Sequence, residues 1–134
     1  MRSERGSLSL ELCLLVPVLL VVLAFIAGAA TLVQARSDVD DAAWEAARSA
    51  SLSRSGADAT ITARHAVERR LAGERWSCGS QTVTVDISRF EPGGMVAVEV
   101  ACTVRLAEAG LFVPGATTLR SRAAEPLERL RAVR

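Results

Sequence analysis

Residues 12–33 contain no charged side chain, and this stretch constrains the chain more than any other. At about 1.5 Å per helical residue it is roughly 33 Å long, enough to cross a hydrocarbon core of about 30 Å. Glu11 stands at its mouth. An ionised side chain at the bilayer centre costs about 2.5–3.5 kcal/mol on insertion scales; at the boundary the cost is lower, but the carboxylate still seeks a positive partner. Pro17 fits a membrane helix, because near the helix start neighbouring groups satisfy the carbonyl it frees. A secretory signal is the rival reading, with Ala27-Gly28-Ala29 as a small-residue cleavage site ahead of Ala30. Such signals carry apolar regions of about 7–15 residues, whereas this segment is longer and passes into helix-compatible sequence. A permanent single-pass anchor is the expectation.

Glu11 has two readings. It is the last polar residue before an anchor, or it is an acid with an assigned partner. Cleavage after Gly6 would make Ser7 the first residue and Glu11 the fifth, which is the spacing of a type IV prepilin processing site. Arg5-Gly6-Ser7, then Glu11, then Pro17 inside the apolar run, resemble the start of TadE-like proteins of tight-adherence pilus systems. Ala42-Ala43-Trp44-Glu45-Ala46-Ala47-Arg48-Ser49-Ala50-Ser51 resembles that family's small-residue helix, with a Glu and an Arg three apart just beyond the anchor. Leu12 departs from the pattern, in which an aromatic commonly follows the acid. The resemblance implies a pilin-like fold and a structural role as a minor pilin or pseudopilin. A prepilin peptidase would cut between Gly6 and Ser7, and Glu11 would neutralise the amino terminus of a neighbouring subunit during assembly. The membrane, other pilin subunits and the pilus assembly machinery are the implied partners.

With 134 residues, the chain has room for one small domain beyond the anchor. Its 16 basic and 15 acidic residues leave a formal charge of +1, with no basic patch, so no nucleic-acid partner is expected. Counting arginines gives no clear orientation: Arg2 and Arg5 precede the span, Arg36 and Arg48 follow it. Cysteines decide better. Cys78 and Cys102 lie in the distal part, and a bonded pair belongs in an oxidising compartment, so the carboxyl-terminal part is placed outside the cytoplasm. The pair would close a loop of roughly 25 residues, worth about 3.5 kcal/mol on the chain-entropy account. Two buried free thiols are the alternative; zinc lacks a full ligand set. Cys13 is left within the span as a small apolar residue.

Beyond the anchor, residues 34–51 are alanine-rich and continue the helix. Glu45 and Arg48 are spaced to meet. The small face of Ala42, Ala43, Ala46, Ala47 and Ala50 suits close packing against a neighbouring helix or the chain's own sheet, with a plain solvated stem as the alternative. Ser53-Arg54-Ser55-Gly56 reads as a break, and Asp58 is placed to cap a second helix running to Gly73. This helix aligns Ala59, Ala63, Ala66, Val67 and Leu71 on one face, with Arg64, Glu68, Arg69 and Arg75 toward water. His65, the only histidine, reads as a solvated helix residue, and Arg69-Arg70 as wet surface.

From Gln81 the period becomes two. Val83, Val85 and Ile87, then Val96, Val98, Val100, Cys102 and Val104, mark two half-buried strands joined by a Glu91-Pro92-Gly93-Gly94 turn. Their apolar faces coincide when paired residue numbers sum to an odd value. A sum near 181 pairs Val83 with Val98, Val85 with Val96, and sets Cys102 opposite Gly79, one residue from Cys78. Residues 110–115 form an apolar loop, either a partner surface or, more commonly for such a run, a cover over the sheet edge. Residues 117–124 are a candidate third strand ended by Pro126; this strand and the following Glu125-Pro126-Leu127-Glu128-Arg129 loosely resemble the same family. The remainder is a polar tail.

The expected fold is α+β: one transmembrane helix extending into a stem, a second helix, and a small antiparallel sheet. The divisions are a leader at 1–6, the transmembrane helix at 7–33, the stem and second helix at 34–73, the β domain at 74–126 and the tail at 127–134. No nucleophile with a base, phosphate-cradling loop or metal spacing is present, so no enzyme, cofactor, metal or small-molecule substrate is expected. Against the filament subunit stand a membrane-tethered extracytoplasmic binding module and a secreted small disulfide protein.

Overall fold

The computed structural model describes residues 4–73, 76 and 78–129, the side chains of Glu4, Arg5 and Ser7 excepted. Arg75 and residues 130–134 of the tail lie outside the described residues. Helix α1 runs Glu4–Ser51 and α2 runs Gly56–Leu71; strands β1 Ser80–Arg89, β2 Met95–Arg105 and β3 Ala116–Pro126 follow. The fold is α+β, a helical layer on one face of an antiparallel sheet of order β1-β2-β3.

Helix α1 is one continuous element of 48 residues, about 72 Å long at helical rise. Its two halves meet different surroundings. From Leu8 to Ile26 every large apolar side chain is exposed. Beyond that, Ala35, Val39, Ala42, Ala43, Ala46, Ala47 and Ala50 are buried along one face, against α2, β2 and β3. Small side chains let helix and sheet backbones approach closely, and so the alanine face packs against the chain's own domain. Glu45 and Arg48 stay exposed and form no ion pair among the described residues.

Ser55, not Asp58, is the N-cap of α2: its backbone is extended and its Oγ accepts from the Asp58 amide at 3.2 Å. The Ser55 hydroxyl also donates to Asp58 Oδ2 at 2.8 Å. Asp58 is thus the N3 partner of a reciprocal cap rather than the cap itself. Ala59, Ala63, Ala66 and Val67 are buried, as the periodicity requires, with Leu71 at the margin.

In the sheet, Val96, Val98, Val100, Cys102 and Val104 of the central strand turn inward, joined by Val83, Val85, Leu119 and Ala123. The register sums to 183, pairing Val83 with Val100, Val85 with Val98 and Gln81 with Cys102. This corrects the expected sum of 181. The odd parity holds, so the same faces coincide, but pairing slides by two residues. A bulge between Asp86 and Arg89 and a turn from Phe90 to Gly94 set the slide. Gly94 is required there, since a side chain would overlap the Arg89 carbonyl.

Two ties fix the helices to the sheet. Asp38 on α1 is buried, accepting from Trp76 Nε1 at 2.9 Å, Gln34 Nε2 at 3.2 Å and Arg70 at 3.4 Å. Arg70 also meets Asp41 at 3.3 Å, which corrects its reading as wet surface. Cys78 and Cys102 are disulfide-bonded, so the segment after α2 is held to the central strand. Leu127 corrects the tail, because it is buried and exchanges backbone hydrogen bonds with Gly93 and Gly94.

Ala46→Leu should lower domain stability by about 1–3 kcal/mol through overpacking, while Glu45→Leu on the exposed side should change it by less than about 0.5 kcal/mol. Denaturant unfolding of the full chain in micelles checks both. Asp38→Ala should cost about 1–3 kcal/mol by leaving the Trp76 indole N–H unsatisfied, and Asp38→Asn, which keeps an acceptor, should cost less.

Candidate functional site

The amino-terminal half of α1 presents an apolar surface long enough to cross a membrane. Gly6 and Ser7 lie in the first turn of the described helix, and Gly6 is exposed, with open space where a Cβ would stand. Glu11 sits one turn beyond Ser7 and is exposed. No side chain among the described residues pairs with it, although it opens a surface of exposed leucine and valine. Pro17 is accommodated within the helix. Cys13 is a free, exposed cysteine on the same surface.

The chemistry-bearing residues farther out do not gather. His65 is exposed on α2, 3.6 Å from Glu68, and no group of metal-ligating side chains occurs among the described residues. On the outer sheet face, Arg122 faces Asp86 at 3.7 Å and Arg120 faces Glu99 at 3.8 Å. The Ser88 hydroxyl and amide beside Asp86, aided by Arg122 and Arg89, hold its carboxyl below the usual aspartate range. Any stability this contributes is present above the unfolded carboxylate pKa and is lost as pH falls through the lowered folded value. These are solvated pairs of a polar sheet face.

The loop between β2 and β3 is the feature that the sequence reading misplaced. It does not cover a sheet edge but folds onto α1. A Cβ at Gly28 would come within 2.8 Å of Leu111 Cδ2 and 3.1 Å of the Gly110 carbonyl carbon. Leu20, Val21, Ala24 and Phe25 of α1, with Gly110, Leu111 and Phe112, line an open apolar notch of about 420 Å³. Gly28, a lone glycine in the apolar run, was the one sequence signal for this close approach.

Residues 6–48 match the family model described as TadE-like protein. No curated protein and no solved structure matches the chain. The matched segment opens at Gly6, takes in Glu11 and the whole apolar surface, and ends at Arg48 within the alanine-rich part of the helix. The family is related to tight-adherence pili and is structural rather than enzymatic. From the exposed acid at the mouth of the apolar surface to the small-residue helix that carries the domain, residues 6–48 are similar to the TadE-like proteins.

Proposed function

We propose that the chain is a minor pilin or pseudopilin of a tight-adherence, type IV-like pilus or secretion filament, with no catalytic role of its own. A prepilin peptidase cuts between Gly6 and Ser7, releasing residues 1–6. Ser7 then carries the new α-amino group, and Glu11 lies one helical turn away on the uncharged lipid-facing surface. In the bilayer each subunit's carboxylate pairs with the amino terminus of its neighbour, so that a charge that is costly alone favours assembly. The observation that carries this reading is Glu11, exposed and without an ion-pair partner among the described residues, at the head of a helix surface whose large apolar side chains are exposed.

The domain stands outside the cytoplasm. The Cys78–Cys102 bond supports that side, since such bonds persist in oxidising compartments. Secretory cleavage ahead of Ala30 is disfavoured, because Gly28 and its neighbours lie inside a continuous helix packed against Leu111.

Glu11→Ala should leave membrane insertion, the disulfide and domain folding intact while abolishing recovery of the subunit in sheared filaments or in complexes with other pilins. Unchanged incorporation of that variant would overturn the assembly role and favour a membrane-tethered binding module.

A further inference from the structure

Phe112 is 85% exposed, more than any other large hydrophobic side chain among the described residues. Its φ is +49°, a conformation that a bulky residue adopts only where its surroundings hold it. Beside it Val113 is also exposed, while Leu111 is seated against Gly28. From Ala109 to Leu119 the sequence carries no charge. This uncharged tip lies along α1 at Leu20, Val21, Ala24 and Phe25, within the lipid-facing surface.

We propose that the tip of this loop, Leu111-Phe112-Val113, is a second membrane contact of the domain, inserted among the acyl chains of the leaflet on the domain's side. The inference rests on α1 spanning the bilayer and is independent of a filament role. A hydrocarbon core takes about 20 helical residues. A span begun at Leu12 ends near Thr31, which sets Phe25 about 9 Å inside the boundary. A span begun at Leu8 ends near Ala27, and Phe25 is still within it. In both registers Phe112 faces helix residues at hydrocarbon depth.

The approach to the tip is internally bonded: Ala109 N–H donates to Arg105 O at 3.2 Å, Gly110 N–H to Ala107 O at 3.1 Å and Leu111 N–H to Leu106 O at 3.1 Å. Leu106 N–H closes the base on Gly115 O at 3.1 Å. Non-helical backbone is tolerated in a membrane where its polar groups are internally bonded, a condition that the backbone up to the Leu111 amide meets. Charge returns only at the loop's base, where Arg105 and Glu108 pair at 3.8 Å. Acyl chains are the occupant we assign to the notch, since it opens directly onto the lipid-facing surface of α1.

The test uses the full chain in phosphatidylcholine–phosphatidylglycerol vesicles. In a Cys13→Ala background, with the disulfide left intact, an environment-sensitive fluorophore is attached at Phe112→Cys, at Leu15→Cys within the span, or at Ala124→Cys on the outer sheet face. The Phe112 label should show blue-shifted emission and lose intensity to nitroxides on the lipid chains, as the Leu15 label does and the Ala124 label does not. A water-like, unquenched Phe112 label beside a quenched Leu15 label would overturn the proposal alone. Blue-shifted emission without lipid quenching would also overturn it, in favour of a second subunit seated in the notch. An unquenched Leu15 label would overturn the spanning helix itself. Phe112→Trp, quenched by brominated acyl chains beyond the level set by Trp44 and Trp76, should give the same result in the chain with native cysteines, and no added quenching would contradict it.

Discussion

Ala42, Ala43, Ala46, Ala47 and Ala50 are fully buried on one face of α1, and the close backbone approach they allow is what the rest of the molecule depends on. Larger residues would hold the helix off the sheet and break the contacts of α2, β2 and β3 along it. With that face in place, a single helix serves two solvents. Beyond Glu11 its first half is apolar all round and is met only by the loop at Leu111; its second half is apolar on one side and charged on the other. No hinge separates them, so the position of the domain relative to the membrane is set by helix geometry.

The remaining ties act on that arrangement. Asp38 is a charge placed inside the helix–helix contact, and it is tolerated because Trp76, Gln34 and Arg70 all donate to it. It locks α1, α2 and the segment before β1 into one register. The disulfide secures the same segment from the sheet side. At the lower end, Leu111 seats on Gly28, so the domain grips α1 from its carboxyl-terminal end down into the apolar surface.

Much of this was legible from residue patterns. An uncharged run of sufficient length marks the span, the alanine repeat marks a packing face, and period-two valines mark strands whose inward face is fixed by parity. Parity does not fix register, however. Side-chain alternation is unchanged by a two-residue slide, and only the bulge after Asp86 and the turn at Gly94 select the sum of 183. Arg70 reads as a solvated charge, and Asp38 goes unmarked, because nothing local in sequence places Trp76 beside them. The loop at Leu111 and Phe112 announced itself as apolar but not what it would touch, since a short hydrophobic run fits a sheet edge as well as a helix. Glu11 is the reverse case: the sequence singled it out, and the fold leaves it exposed, with no ion pair among the described residues.

The central claim is that this exposed acid serves assembly in a processed subunit. Mass spectrometry of the amino terminus of protein purified from native membranes tests it most directly. A chain beginning at Ser7, with Glu11 as its fifth residue, is the predicted result. A mature chain that retains Met1, or that begins at Ala30 and so lacks the anchor, would contradict it.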